Sequence, residues 1–470
     1  MSRPRVVIVG GGFAGLAAAD GFGAEHDVTV IDRGADFEFL PNLHELVSRT
    51  KKPDALRLAR RRVVERRGHL FRQDEVVAID PERRQVLARD GGGLAYDVLV
   101  VATGSAARET AVPGAARHAL ALRSIAEGVA IGERLRRLAR RGDRGAVTIV
   151  GGGFTGVECL GEVLRRYRQR RGLTVRLIEP GRRLLASQPA TVGRAVRAIA
   201  EECDVELLLG ESVAGVEAER VQLASGSWLR SDLTLWTAGG GPPPLLAQAG
   251  LAPAGEWAPA AATLQSRAWP DVFIAGDSAG LRRGLAKQSY QAAAMGRRAA
   301  RNARRLLAGR ELRRFSPLDD QLLITFGFLS GFYVDDDVVV EGAVLCVARE
   351  LLFQAGMAEL DRPRRRGARR RLLRRLRGAV RLAALPGPWR AVLPHPYARA
   401  PRDRFDLPAL PRVLEWRDAE GGLAAAAAGG SSAGRVAAGA GRQGGRLLRL
   451  LERDLSPMPP MPPLPPSFLT

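Results

Sequence analysis

Two short glycine runs are the part of this chain best suited to chemistry. Gly10, Gly12 and Gly15 stand in GxGxxG spacing, and Gly151, Gly153 and Gly156 repeat it. In that spacing the first glycine permits a tight turn. The second lets the backbone approach a pyrophosphate, and the third lets a helix pack close to the preceding strand. The helix that follows points its N-terminal amides and positive dipole end at the phosphates. Each run is followed by an apolar stretch that ends on an acid, Val28 to Asp32 and Thr174 to Glu179. A carboxylate there can take the hydroxyls of an adenosine ribose. One GxGxxG is weak evidence. The same strand, loop, helix, strand and terminal acid met twice implies two adenine dinucleotides bound by two similar units.

These residues need elements to hold them. Val6 to Val9 is an apolar run of the length of a buried parallel strand, and Val147 to Val150 is its counterpart. Tyr96 to Gly104 reads as a buried strand ending in a Thr-Gly turn. Leu233 to Gly239 plays the same part in the second unit, and Val272 to Asp277 is a further strand ending Gly-Asp. Val76 to Asp80 and Arg84 to Leu87 predict a small antiparallel layer. Ile125 to Arg140 and Lys287 to Leu307 predict helices, and Phe328 to Leu360 mixes strand and helix periods. Phe37 to Leu46 suits a packed loop leading into a helix.

Composition sets limits. The 470 residues have room for two or three domains. No run of about 18 apolar residues occurs, so no transmembrane helix is expected. The first strand begins almost at once, which leaves no space for a signal peptide. Cys159, Cys203 and Cys346 show no CxxC pattern, which argues against a disulfide framework, a zinc site or any other metal site, and for a reducing, cytoplasmic location. The net charge is +22, and Arg362 to Arg381 holds eleven arginines and no acid. That concentration suggests one anionic partner surface. Only three lysines, Lys51, Lys52 and Lys287, stand against 69 arginines. Arginine counts are therefore weak functional evidence here, and each lysine is worth attention.

The run of motifs GGGFAGLAAA, VATG, GGGFTGVECLGE, LWTAGG and IAGD resembles the FAD-dependent pyridine-nucleotide oxidoreductases with two dinucleotide-binding domains, over roughly residues 5 to 310. Within them it is most similar to the type II NADH:quinone oxidoreductases. The resemblance implies an α/β chain with two Rossmann-like domains in a glutathione-reductase-like FAD/NAD(P) fold, a small C-terminal α+β region and a disordered tail. Its divisions would be 1–110 and 241–310 for FAD, 111–240 for NAD(H), 311–361 for a C-terminal interface region, 362–395 for a basic amphipathic segment and 396–470 for a mostly disordered tail. It assigns the FAD site to Gly10, Gly12, Phe13, Ala14, Gly15, Asp32, Arg33, Val76, Thr103, Gly104, Gly276 and Asp277. The NADH site falls to Gly151, Gly153, Phe154, Thr155, Gly156 and Glu179. The Glu179 carboxylate would repel a 2′-phosphate and favour NADH, a preference that Arg182 and Arg183 could soften.

Glu158 and Lys287 are the catalytic candidates that the resemblance implies. Glu158 could relay protons to a reduced quinone, or it is an acid favoured at a helix N-terminus. Glu162, one turn on, reads as a solvated or paired helix residue. Lys287 could place a cation at the flavin and stabilise its reduced, anionic form; the bland reading is a surface lysine. The Phe39 to Glu45 loop resembles the FxPLLYE-like stretch that borders the flavin. Asn42 and His44 could reach the ring, although a lone histidine is more often structural.

The expected activity is hydride transfer from NADH to FAD, with electrons passed on to a quinone. A sulfide:quinone reductase-like flavoprotein is a rival, because the Lys287 to Asn302 helix fits that sister family, and Ala294-Met295 replaces the Gln-Gln of the quinone reductases. That chemistry needs two cysteines at the flavin. Cys159 could be one, and Cys346 comes in the wrong chain order for the other. Dithiol reductases are excluded by the lack of a CxxxxC after Asp32. A soluble NAD(P)H-dependent flavin reductase with another acceptor is a further rival, and so is a non-enzymatic redox sensor. The basic stretch 362–385, followed by Trp389, resembles an amphipathic helix for an anionic membrane surface, on the inner face of the cell membrane. A nucleic-acid partner is not expected, and a homodimer stays open.

Overall fold

The computed structural model describes residues 2–107, 112–140, 145–168, 172–281, 285, 287–318, 321–335 and 338–361, and the backbone of 412–417 and 423–425. The valine-rich runs behave as their composition demands. Val6 to Val9 and Val98 to Val101 are buried along their whole length, as strands covered on both faces of a parallel sheet must be.

Two five-stranded parallel sheets share one layout. The first runs Val272–Ile274, Val98–Val101, Arg5–Val9, Asp27–Asp32, Leu70–Gln73. The second runs Ala119–Ala121, Leu233–Trp236, Gly145–Val150, Leu173–Glu179, Glu206–Leu209. In each the central strand ends in a glycine loop, and its neighbour on one side ends in the acid. Register fixes that meeting: Val9 pairs with Ile31 and Val150 with Ile178. The chain leaves the first sheet after Val101, builds the second, and returns to the first at Val272.

The helices follow the glycines. Phe13–Ala19 and Phe154–Tyr167 start directly after the two loops. The Ser289–Leu307 helix lies along Phe13–Ala19, so close that a Cβ on Gly296 would fall 2.0 Å from the Ala14 carbonyl oxygen. Ile125–Arg140 is helical as its periodicity predicts. The small antiparallel layer comprises Val76–Asp80, Gln85–Ala88 and also Gly93–Ala95.

The mixed periods after Phe328 resolve into an antiparallel sheet and a helix. Strands Leu322–Phe326, Ser330–Val334 and Val338–Glu341 precede the Val344–Asp361 helix. The sheet meets the Phe154–Tyr167 helix at Gly161, where a Cβ would lie 2.4 Å from the Gly327 nitrogen. Within the stretch 396–470, expected to be mostly disordered, two short strands are described. Arg412–Arg417 pairs with Val338–Glu341, and Leu423–Ala425 pairs with Arg412–Arg417. An unpaired edge next to Val338–Glu341 is what such a strand covers, and no local signal in the sequence marks it. The basic segment 362–395 lies outside the described residues.

Candidate functional site

The two glycine loops are built alike to the level of single hydrogen bonds. The Gly11 amide donates to Asp32 Oδ2 at 2.7 Å and Gly34 to Oδ1 at 2.9 Å. The Gly152 amide donates to Glu179 Oε2 at 2.6 Å and Gly181 to Oε1 at 2.8 Å. Gly10 and Gly151 turn with φ of 102° and 110°, a region open to glycine and strained for other residues. A Cβ on Gly15 or Gly156 would stand 1.8 Å from the carbonyl oxygen of Gly10 or Gly151. At Gly12 and Gly153 a Cβ would meet nothing within 4 Å. The third glycine therefore serves packing, and the second leaves free the space that a pyrophosphate needs.

Three segments meet at the first loop. Phe13 packs edge-on against Phe37 and Phe39, with centroids 5.0 and 5.3 Å away. A Cβ on Gly276 would sit 2.9 Å from the Ala14 Cβ, so the Gly-Asp turn lies directly on the first helix. Asp277 and Lys287 line one cavity of about 200 Å³ together with Trp257, Gln291, Ala292 and Met295. Lys287 Nζ donates to the carbonyl oxygens of Asp277 and Ala279 and lies 3.7 Å from the Trp257 ring centroid. Burial raises the Asp277 carboxyl pKa and lowers that of the Lys287 ammonium, and their mutual attraction opposes both shifts. Lys287 is exposed but held by these contacts, unlike a free surface lysine. Thr103 Oγ1 is buried with no partner among the described residues, an uncommon state for a hydroxyl. Gly104 follows it at φ 71°. Open space at Gly12, an orphan hydroxyl and the partly buried Asp277 carboxylate fit a dinucleotide held across this surface. Arg33 is exposed beside Asp32, and Val76 opens the small antiparallel layer, packed against the core.

Glu158 belongs to a different constellation. It is 8 % exposed, with Arg349 Nη1 3.2 Å from Oε1 and His44 Nδ1 3.5 Å from Oε2. Arg349 also donates to the carbonyl oxygens of Pro41, at 2.7 Å, and Leu323. Burial pushes the His44 pKa down to about 4 against the pull of Glu158. At neutral pH the contact is therefore imidazole to carboxylate, not an ion pair. His44 Nε2 is buried without a partner among the described residues. Asn42, the other loop candidate, donates to Glu45 at 2.9 Å. Glu162 is paired as expected, accepting from Ser48 Oγ and Arg165, but it is buried, and burial raises its pKa. Lys51 is nearly buried between Glu45 and Glu350 and lies over the Phe353 ring.

The thiols are quiet. Cys159 and Cys346 are buried and free. Burial and the nearby Glu158 and Glu162 raise the Cys159 pKa, and burial pushes Cys346 up to about 12. Neither is a thiolate at neutral pH, as sulfur transfer would require.

Residues 4–300 match the family model of the pyridine nucleotide-disulphide oxidoreductases. The chain belongs to that family. Similar proteins include a demethylphylloquinone reductase of Synechocystis, NdbB, 29 % identical over 260 residues, covering 52 % of this chain and 64 % of that one. An alternative NAD(P)H-ubiquinone oxidoreductase C1 of Arabidopsis thaliana is 29 % identical over 330 residues, 60 % and 62 % of the two chains. The chain thus spans less than two thirds of the length of these curated relatives. The fold is that of the sulfide:quinone oxidoreductase of Aquifex aeolicus, with a TM-score of 0.68, 18 % identity, and coverage of 76 % of this chain and 91 % of that one.

Sequence reasoning missed three residues that this family member places at its sites. Arg60 reaches the first loop, with Nη1 2.9 Å from Asp32 Oδ1 and Nε donating to the Gly11 carbonyl at 3.0 Å. Trp257 covers Lys287, and Arg349 pairs with Glu158. Each is brought by long-range packing from a stretch without a motif. Lys51 had a signal in the scarcity of lysine.

Proposed function

We propose that the chain is an FAD-containing NADH dehydrogenase that passes electrons from NADH to a quinone. One observation carries this: the chain builds the same carboxylate-closed glycine loop twice, at Gly10 to Asp32 and Gly151 to Glu179. Two such loops suit one dinucleotide kept and another exchanged. On the first helix the returning Gly276-Asp277 turn lies at Ala14, beside the loop, whereas on the second the returning chain at Gly327 meets Gly161, farther along the helix. Among the described residues the first acid has a clamping arginine, Arg60, and the second has none. The first is therefore the FAD anchor and the second the NADH site. On this reading residues 1–110 with 241–310 serve FAD, 111–240 serve NADH, and 311–361 form the interface region.

FAD, when bound, supplies the hydride and electron transfer chemistry. The protein positions and balances charge. The amides at the starts of Phe13–Ala19 and Phe154–Tyr167 receive phosphates. Asp277 binds the ribityl chain, and Lys287 Nζ supplies positive charge beside the flavin. Glu158, backed by Arg349 and facing His44, holds and delivers protons for the reduced quinone. Glu179 favours NADH by repelling a 2′-phosphate, and Arg183 donates to the carbonyl oxygens of Ala186 and Gln188.

No helix among the described residues is long and apolar enough to cross a membrane. A lipid-soluble acceptor then calls for peripheral contact, and the basic segment 362–395 is the candidate for an anionic inner-face surface. Deleting it abolishes co-sedimentation with anionic vesicles on this view; unchanged sedimentation refutes the anchoring role. The activity itself is tested by NADH oxidation with a panel of acceptors. Turnover with quinones and not with sulfide as donor is expected; turnover only with a non-quinone acceptor overturns the assignment.

A further inference from the structure

One cleft lies away from both loops. It has a volume of about 570 Å³, and its wall includes Pro4, just before the first strand. The glycine loop leaves the other end of that strand, five residues on, or ~16 Å away at the usual rise. Ligands of doubly wound sheets sit outside the carboxyl ends of the strands, so this cleft is at the end opposite the dinucleotide.

Six arginines line it: Arg298, Arg301, Arg304 and Arg305 from the Ser289–Leu307 helix, and Arg310 and Arg313 from the segment after it. Glu25 is the only carboxylate in the wall. It is already shared by Arg304, at 3.5 Å, and His26, at 3.3 Å. Arg305 donates to the Glu311 carbonyl oxygen. Arg298, Arg301, Arg310 and Arg313 have no acidic partner among the described residues. The chain is rich in arginine throughout, so number alone means little. What sets this cleft apart is the grouping. Among the described residues, exposed arginines elsewhere, Arg194 among them, also lack an acid, and Arg176, Arg67 and Arg349 find Glu206, Asp20 and Glu158, whereas here several such guanidinium groups share one hollow and repel each other.

We propose that this cleft binds an anion carrying two or more closely spaced phosphate groups. Guanidinium forks match phosphate oxygens bidentately, and the volume lies in the range of small-ligand pockets. Burial together with Arg301, Arg313 and Arg305 lowers the Arg298 pKa, the electrostatic tension that a bound polyanion relieves. The same chemistry is offered by a free diphosphate, as in a nucleoside diphosphate, and by a lipid headgroup that carries two phosphodiesters on one glycerol.

The test uses the flavin-loaded full chain with its nucleotide loop saturated by NAD⁺, so that binding there is already satisfied. Pyrophosphate is titrated by calorimetry. In parallel the protein is sedimented with phosphatidylcholine vesicles carrying equal negative charge from either cardiolipin or phosphatidylglycerol, so that the general attraction of segment 362–395 to anionic lipid is the same in both. The parent is compared with the double variant Arg301→Glu and Arg313→Glu, both exposed positions, and with Arg194→Glu, an exposed arginine outside the cleft. One equivalent of pyrophosphate should bind the parent, at least tenfold more weakly the double variant, and as the parent does Arg194→Glu. Cardiolipin-dependent sedimentation with the same ranking and no pyrophosphate binding also supports the site and names a lipid as its source. Binding of neither ligand overturns the proposal. So does a double variant that binds both as the parent does.

Discussion

On the proposed function, Glu158 is the residue on which the chemistry of the acceptor half-reaction turns. It lies in a buried group with His44 and Arg349. Glu158→Gln keeps shape and hydrogen-bonding capacity and removes the proton carrier. Quinone reduction should fall about a hundredfold, within the usual worth of a positioned acid–base group, while reduction of the bound flavin by NADH keeps its rate. Stopped-flow traces of the two half-reactions check this; equal losses in both would place Glu158 at the nicotinamide instead. His44 gives a pH signature. Its folded pKa is depressed to about 4, against an unfolded value near 6.5. The unfolded chain therefore binds the proton first as pH falls. Stability from this group is complete above about pH 6.5 and is lost on the way down to about pH 4, by up to ~3 kcal/mol. His44→Gln should flatten that slope in denaturant titrations, and an unchanged slope would assign it to other groups. Glycines and their acids were legible at this scale because their spacing is local. Arg349, Arg60 and Trp257 were not, because each acts on a partner far away in sequence.

At the scale of elements, the loops make a contrast that substitution can read. A methyl at Gly156 collides with the Gly151 carbonyl, whereas one at Gly153 meets nothing of the protein. Gly156→Ala should separate the helix from its strand and lower the melting temperature. Gly153→Ala should melt as the parent does and bind NADH at least tenfold more weakly, measured by calorimetry. Equal melting losses in the two would contradict the division of labour between the glycines. Arg349 ties the Val344–Asp361 helix to Glu158 on the Phe154–Tyr167 helix and to the Pro41 carbonyl of the Phe39 to Glu45 loop. Arg349→Ala leaves a buried carboxylate without its cation and should cost about 3 kcal/mol in chemical denaturation; a loss below about 1 kcal/mol would show that water already reaches Glu158. Parallel strands and long helices were legible from apolar runs and periodicity. The strand Arg412–Arg417 was not, because its reason to exist is the edge it covers.

The whole molecule is a duplication with a return. The chain begins one parallel sheet, completes a second of the same layout, and comes back to finish the first with Val272–Ile274. The repeat was readable in the sequence since both copies kept their glycines and acids. The return was readable only in part: the Gly-Asp ending suggested it, and the contact of Gly276 with Ala14 gives it a physical form. On the proposed function, this arrangement lets one chain hold FAD beside a site through which NADH passes. The most direct test is anaerobic mixing of the purified flavoprotein with NADH, followed by a water-soluble quinone. Rapid bleaching of the flavin absorbance by NADH, and its full return on adding quinone, is the predicted result. A flavin that NADH leaves oxidised, or that NADH bleaches and quinone does not restore, would contradict the account.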